Sequence, residues 1–106
     1  MTDPEKVKIY YDTGELWKEE SYVNGRLEGP YKIFYKNGKI KWVGFIKDDQ
    51  LDGPYKEFYK SGILKEQGAY SNGELDGEYF FYEENGKLKA SGQYYNGKEV
   101  GFVNWN

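Results

Sequence analysis

Short runs in which apolar and polar residues alternate follow one another along most of the chain. In residues 31–36, tyrosine, isoleucine and tyrosine alternate with lysine, phenylalanine and lysine. A period of two is typical of β-strands whose two faces differ. The runs are separated by pairs of turn residues, namely Thr13-Gly14, Asn37-Gly38, Ser61-Gly62 and Asn85-Gly86. Such pairs between two apolar runs predict β-hairpins with two-residue type I′ loops.

The spacing of the glycines indicates that this hairpin is repeated. At a period of 24 residues, one column holds Gly29, Gly53, Gly77 and Gly101. The copies are residues 6–29, 30–53, 54–77 and 78–101, with a stub at 102–106, so residues 1–106 form one repeat domain. At about 4.8 Å per strand, four copies extend about 40 Å. We therefore predict an all-β fold of tandem hairpins that form an elongated, twisted antiparallel meander sheet.

The predicted loops also set the register of each hairpin. Two-residue loops place Tyr31 opposite Gly44, and the same large-ring-to-glycine pairing recurs for Tyr55 with Gly68 and for Tyr79 with Gly92. One face of the second copy is then apolar and forms the predicted core: Tyr31, Ile33, Tyr35, Ile40, Trp42, Gly44 and Ile46. A single sheet does not bury such a face alone, so twisting of the sheet, the loop leucines Leu27, Leu51 and Leu75, or association must cover it.

The opposite face is rich in lysine and carries one aromatic residue per copy. This aromatic row consists of Tyr10, Phe34, Phe58 and Tyr82. The same register places Lys41, Lys65 and Lys89 opposite the last three of these rings. The row and these lysines are the candidate binding residues, because aligned exposed rings form a platform for a peptide or a sugar chain. The alternative is that the lysine stems simply cover the rings.

The composition excludes much of enzyme chemistry. The chain has no cysteine and no histidine, so it lacks the usual zinc ligands and the commonest general base. We expect no catalytic residue, no metal site and no cofactor. Glu57 and Glu66 face each other in the predicted register and could suggest glycosidase carboxylates, but a directly opposed pair of like charges is not by itself such a site. The acidic column Glu28, Asp52 and Asp76 fits either turn chemistry or a basic partner.

Charge and hydropathy bear on partners and location. The net charge of −3 arises from interspersed signs, which predicts no nucleic-acid partner. No apolar run is long enough to span a bilayer, and the first residues lack a signal-peptide core. As written, the sequence is expected to be cytoplasmic. An envelope or secreted location would follow if it were trimmed from a longer precursor.

The residues also resemble a known family. The segment Gly68–Tyr79, with glycines at 68, 73 and 77 and tyrosines at 70 and 79, resembles a MORN repeat. All four copies are similar to the bacterial MORN-variant group often called the YwqK-like antitoxin family, although Glu20, Asp49 and Glu99 depart from its pattern. The resemblance implies a hairpin array that serves as a scaffold or recognition surface.

These observations favour a binding protein over an enzyme. We expect a non-catalytic scaffold that mediates protein–protein interaction and pairs with a toxin if the antitoxin resemblance extends to function. The alternative is an envelope-associated module that binds lipid or glycan through the aromatic and lysine face. Association of the chain with itself, through the core face or through an edge strand at the stub, is a further expectation.

Overall fold

The computed structural model describes the backbone of residues 4–104 and the side chains of residues 4–101. All the regular structure is β-strand: β1 (Glu5–Tyr10), β2 (Leu16–Val23), β3 (Arg26–Leu27), β4 (Gly29–Phe34), β5 (Ile40–Lys47), β6 (Gln50–Leu51), β7 (Gly53–Phe58), β8 (Leu64–Ser71), β9 (Glu74–Leu75), β10 (Gly77–Tyr82), β11 (Leu88–Tyr95) and β12 (Lys98–Asn104). Nothing in this part of the chain is a helix long and apolar enough to cross a membrane.

The strands form one open antiparallel sheet in chain order. Its main path is β1-β2-β4-β5-β7-β8-β10-β11-β12, and the two-residue strands β3, β6 and β9 pair beside it with β2, β5 and β8. Each copy contributes one long hairpin, and shorter ladders, such as Trp42 to Glu57, join successive hairpins. The predicted meander of hairpin repeats is confirmed. Its longest dimension is 43 Å, close to the length expected from the strand count.

The register of the hairpins is confirmed over most of their length. Tyr31 pairs with Gly44, Tyr55 with Gly68 and Tyr79 with Gly92. The predicted two-residue type I′ loop is wrong, however. In the second copy the Tyr35 amide donates to the Lys39 carbonyl oxygen (2.8 Å), and the Gly38 amide donates to the Tyr35 carbonyl oxygen (3.0 Å), which closes a three-residue loop.

A bulge near the loop restores the register. Ile33 pairs with Trp42 but Phe34 pairs with Ile40, so Lys41 is an extra residue on the second strand. The same irregularity recurs in the other three copies, where the extra residues are Trp17, Lys65 and Lys89. The extra loop residue and the extra strand residue compensate each other, which is why the register beyond the bulge agrees with the prediction.

Type I′ turns do occur, but between the long hairpins. Asn24-Gly25, Asn72-Gly73 and Asn96-Gly97 have positive φ at both residues. The first two pairs connect a long strand to the next short strand, and the third connects β11 to β12. In the second copy the same turn consists of Asp48 (φ 52°) and Asp49 (φ 63°). Asp49 therefore holds, without being glycine, a left-handed conformation that glycine occupies in the other three turns.

Tyrosine hydroxyls join neighbouring copies at the long-hairpin loops. Tyr35 donates a hydrogen bond to the Phe58 carbonyl oxygen (2.6 Å), and Tyr59 donates to the Tyr82 carbonyl oxygen (2.7 Å). Tyr11 makes the same bond to Phe34 (2.5 Å). Each bond spans 23 residues, so it links one copy to the next. The fourth copy has Glu83 at this position, where the tyrosine series stops.

The last strand differs from its counterparts. Gly29, Gly53 and Gly77 have positive φ and are the first residues of β4, β7 and β10, whereas Gly101 is not among the residues with positive φ and lies within β12. Strand β12 therefore runs past Gly101 and pairs with β11 through Asn104, interrupted only by a bulge. The predicted stub strand begins here, since Phe102–Asn104 belong to β12. Trp105 and Asn106 of that stub lie outside the described residues.

The sheet encloses little. Among the apolar side chains of residues 4–101, the buried ones are Tyr55 (4% exposed), Tyr79 (3%) and Ala90 (5%). No side chain in this range is less than 2% exposed. The sheet measures 43 × 32 × 21 Å. The predicted core face is therefore mostly half-buried, and the loop leucines Leu27 and Leu51 line it.

Candidate functional site

An apolar groove lies on the predicted core face, which is called the groove face below. It has a volume of about 460 Å³ and extends over copies two and three with one leucine from copy one. Its lining residues are Leu27, Tyr31, Ile33, Lys41, Trp42, Ile46, Leu51, Glu57 and Tyr70. Strands β4, β5, β7 and β8 supply most of these side chains, because their alternate residues point to one face. Leu27 and Leu51 come from the short strands and close one end of the groove.

Aromatic rings form the floor of the groove. Trp42 stacks on Tyr55, with ring centroids 6.0 Å apart and planes 15° apart. Tyr31 meets Trp42 edge to face at 6.1 Å, and Tyr70 packs against Tyr55 at 5.0 Å. Because these rings hold one another, they form a rigid surface that gives up little side-chain entropy when a ligand covers it.

Glycines allow the rings to lie close to the backbone. A Cβ atom at Gly68 would be 2.9 Å from Cε1 of Tyr55, and one at Gly92 would be 2.7 Å from Cε1 of Tyr79. The predicted packing of a ring over a strand glycine is therefore confirmed in the third and fourth copies. In the second copy the ring over Gly44 is that of Trp42, not that of the paired Tyr31.

Carboxylates on the groove face are already engaged. Glu57 pairs with Glu66 across the hairpin, as predicted, but Glu57 lies 3.8 Å from Nζ of Lys65. Glu66 accepts a hydrogen bond from the Tyr55 hydroxyl. Burial of Tyr55, followed by this bond to a carboxylate, raises the pKa of the phenol well above its usual range. Both carboxylates therefore have partners within the chain, and of the two only Glu57 is a lining residue of the groove.

The same tyrosine–carboxylate pairing appears elsewhere on the groove face. Tyr79 donates to Glu99, and Tyr22 donates to the buried Glu20 (2.9 Å). Burial and the bond to Glu99 raise the pKa of Tyr79. Two of the residues that depart from the repeat pattern, Glu20 and Glu99, thus have acceptor roles in the terminal copies.

The predicted pairing of lysines with the aromatic row is wrong. Because of the bulges, Phe34, Phe58 and Tyr82 face Ile40, Leu64 and Leu88, and not Lys41, Lys65 and Lys89. Lys41 lines the groove, and its Nζ atom lies 5.8 Å from the ring centroid of Tyr35. Lys65 lies 5.7 Å from the Tyr59 ring. The two lysines thus belong to the groove face. Lys89 occupies the same bulge position in the fourth copy.

The aromatic row itself lies on the other face of the sheet. Tyr82 accepts a hydrogen bond from the Gln67 side-chain amide (2.8 Å), and Gln67 points away from the groove face because it alternates with Glu66. Tyr10 is 55% exposed, whereas Phe34, Phe58 and Tyr82 are half-buried. The register also moves Ile40 from the predicted core to the face of Phe34. Aliphatic side chains, and not lysine stems, therefore lie opposite the rings of the row.

The acidic column has a structural role at the connecting turns. The Asp52 carboxylate accepts a hydrogen bond from the Asn72 amide (3.1 Å), and Asp76 accepts one from the Asn96 amide (3.4 Å). The turn-chemistry interpretation is therefore confirmed for these two residues, with the addition that each bond reaches the turn of the following copy. Glu28 is half-buried at the equivalent position.

A second, more polar cleft was not anticipated from the sequence. It has a volume of about 420 Å³, lies at the three-residue loops and is lined by Tyr11, Tyr35, Lys36, Asn37 and Lys60. Tyr35 connects it to Lys41 in the groove. The groove was missed for a related reason. The sequence marks its residues as core, and only the openness of the sheet shows that they remain accessible.

Four tandem hairpins in one open sheet, with an aromatic groove on one face, define a β-hairpin repeat protein. A model of the MORN repeat variant family matches residues 6–24, 27–41, 51–72 and 75–98, which together make up well over half of the chain. The chain belongs to the MORN repeat variant family. No curated protein is similar enough in sequence to count as a match. MORN repeats are generally non-enzymatic modules involved in binding.

Proposed function

We propose that the chain is a non-catalytic recognition module that binds a protein partner through the aromatic groove. The observation that carries this proposal is the groove itself: about 460 Å³ of open space on a floor of rings held by their neighbours. Large apolar side chains of a partner fit such a surface, since aromatic residues dominate the centres of protein interfaces.

The engaged carboxylates support the non-catalytic part of the proposal. Glu57 pairs with Lys65, and Glu66 accepts a hydrogen bond from Tyr55, so neither is poised as a general acid opposite a free nucleophile. Turnover of a glycan that is abolished by Glu57→Gln would contradict this part.

The experiment is an affinity capture from a lysate of the organism that encodes the chain. It compares the wild type with Trp42→Gln, which alters the floor of the groove, and with Phe45→Gln as the matched control. Phe45 lies on the same strand, is 44% exposed and points to the other face. Circular dichroism checks that both variants fold. We expect one protein to be captured stoichiometrically by the wild type and the control and to be lost with Trp42→Gln.

A Phe34→Ser variant tests the aromatic row as the competing surface. A partner that is lost with Phe34→Ser and retained with Trp42→Gln would move the binding site to the other face. Capture of no specific protein would remove the support for a stable protein partner. That result would favour the lipid- or glycan-binding alternative. Two of the lysines proposed for it, Lys41 and Lys65, lie on the groove face and not beside the aromatic row.

The finer proposal is that the partner is a toxin that the chain neutralises. It rests on the resemblance of the four copies to the antitoxin-named group. Expression of the captured protein alone should then arrest growth. Co-expression with the wild type should restore growth, and co-expression with Trp42→Gln should not. Unimpaired growth with the captured protein alone would reject the toxin proposal and leave the recognition module intact.

A further inference from the structure

The groove face would bury more apolar surface if a second layer packed on it. Its rings are half-buried, with only Tyr55 and Tyr79 close to full burial. A sheet that is apolar on one face is stabilised when a second layer packs on that face. We propose that this second layer is the groove face of another copy of the chain, in a two-fold symmetric dimer. The proposal rests on the proposed function in assigning its binding face, so the second copy and the protein partner compete for that face and the partner must displace the second copy.

Charges at the two ends of the strands point to a second copy as the occupant. In the two central copies, the ends at the three-residue loops carry the exposed lysines Lys36, Lys39 and Lys60, which we call the basic rim. The opposite ends, at the type I′ turns, carry five carboxylates and one exposed lysine, Lys47, and we call the carboxylates the acidic rim: Asp48, Asp49, Asp52, Glu74 and Asp76. The groove runs between the rims, from Leu51 and Ile46 at the acidic end to Lys41 at the basic end.

The acidic rim already attracts a cation from within the chain. Arg26 of the first copy lies 3.5 Å from the Asp48 carboxylate and 3.7 Å from that of Asp49. These three side chains are more than half exposed, so the pairs contribute little to stability. They do show that this rim accepts a basic group from a neighbouring element.

Symmetry then selects one arrangement. In a face-to-face dimer the two-fold axis lies in the plane between the sheets. An axis parallel to the strands would place acidic rim on acidic rim and basic rim on basic rim. An axis along the direction in which the repeats succeed one another places each basic rim against the acidic rim of the other copy. This second axis also sets the central groove over its own symmetry mate, about 10 Å away as in β-sandwiches.

The available surface is large enough for such a dimer. The sheet extends 43 × 32 Å, which exceeds the roughly 800 Å² that each partner contributes to a standard interface. The two pairs of opposed rims lie at the margin of this interface, where charges select the partner and its orientation more than they add affinity.

A charge exchange tests the arrangement. Lys36→Glu/Lys60→Glu makes both rims acidic. A second variant makes both rims basic, with Asp48→Asn and Asp49→Gly, which suit the type I′ turn, and with Gln50→Lys and Glu74→Lys. It also carries Asp52→Asn and Asp76→Asn, because an asparagine oxygen can still accept the hydrogen bonds from Asn72 and Asn96. Sedimentation velocity on each protein and on an equimolar mixture, with one variant mass-tagged for native mass spectrometry, reports the species. Phe45→Gln on the other face is the control, and Trp42→Gln tests the groove.

We expect the wild type and Phe45→Gln to form dimers. Trp42→Gln and each rim variant alone should dissociate at least tenfold more readily than the wild type. The mixture should form the heterodimer in preference to either homodimer, and about 0.5 M salt should weaken this preference.

A wild type that stays monomeric up to about 100 µM, beyond the range of specific dimers of this size, would overturn the proposal. So would a dimer that tolerates Trp42→Gln, or a mixture of the rim variants that forms no heterodimer. A monomer that still captures its protein partner through Trp42 would reject the dimer alone. A dimer with no captured protein would reject the proposed function alone.

Discussion

Replacement of Gly68 by alanine tests whether ring-over-glycine packing stabilises the sheet. The added Cβ atom would lie 2.9 Å from Cε1 and 3.1 Å from the hydroxyl oxygen of Tyr55, and 3.2 Å from Cβ of Tyr79. Tyr55 is only 4% exposed, and its hydroxyl is tied to Glu66. The ring therefore has no free direction in which to move, and relief of the contact would strain the backbone or break the bond to Glu66.

Excess volume in a packed site costs about 1–3 kcal/mol, and loss of a hydrogen bond to a charged group costs a similar amount. The protein relieves the contact either by straining the backbone or by breaking the bond to Glu66, so only one of the two costs applies. We therefore expect Gly68→Ala to lower the free energy of unfolding by about 2 kcal/mol. For a domain of about 100 residues this lowers Tm by roughly 8–16 °C. Urea and thermal unfolding, followed by tryptophan fluorescence and circular dichroism, measure both quantities.

Gly101→Ala is the matched control. Like Gly68, Gly101 lies in a strand and has a φ outside the left-handed region. It differs from Gly68 in that an added Cβ atom would meet nothing within 4 Å. We expect its effect to stay within about 0.5 kcal/mol. Equal effects of the two substitutions, or a Gly68→Ala protein as stable as the wild type, would refute the idea that the close approach of Tyr55 requires glycine.

Three further predictions concern the connections and the tyrosines. Asp49→Gly should raise the free energy of unfolding by about 0.5–1 kcal/mol in urea titrations, because it relieves a left-handed aspartate; a loss of stability would contradict this reason. Tyr35→Phe should cost about 1 kcal/mol by the same titration, because it removes the bond to Phe58 that joins two copies. Tyr10→Phe, at an exposed ring, should cost nothing measurable. Alkaline titration should reveal the raised pKa of Tyr55. The folded state holds this proton more tightly than the unfolded state, so the stabilisation is complete below about pH 10 and is lost above it, at about 1.4 kcal/mol per pH unit. Tyr55→Phe should reduce the dependence of the free energy of unfolding on pH by that amount. An unchanged dependence would contradict the raised pKa of Tyr55.

The repeat and the register were accessible from the sequence because both depend on local chemistry. Most glycines of the columns lie where φ is positive or where a ring packs close to the backbone, with Gly101 as an exception. The pairing of Tyr55 with Gly68 and of Tyr79 with Gly92 follows once the hairpins are placed. The loop type was not accessible. Asn37-Gly38 fits a type I′ turn as well as it fits the end of a three-residue loop, and the bulge at Lys41 that distinguishes the two leaves no local signal.

That one residue changed the interpretation of the candidate site. A shift of one position in a strand moves a side chain to the other face of the sheet, so Lys41 and Lys65 passed from the predicted aromatic row to the groove. Ile40 moved in the opposite direction, to the side of Phe34. The aromatic row was placed on the correct face, but its lysine partners were not, and the groove became the stronger candidate.

The sequence by itself determined the long strands, the four hairpins, their order and the lack of cysteine and histidine, because these follow from period, turn residues and composition, whereas the short strands β3, β6 and β9 were predicted only as connections. Only the tertiary structure decided which side chains remain accessible. Exposure depends on how neighbouring copies pack, on the bulges that reassign faces and on the absence of a second layer over Trp42 and Tyr31 within the described residues. Those quantities arise from contacts between residues distant in the chain, which no local pattern encodes.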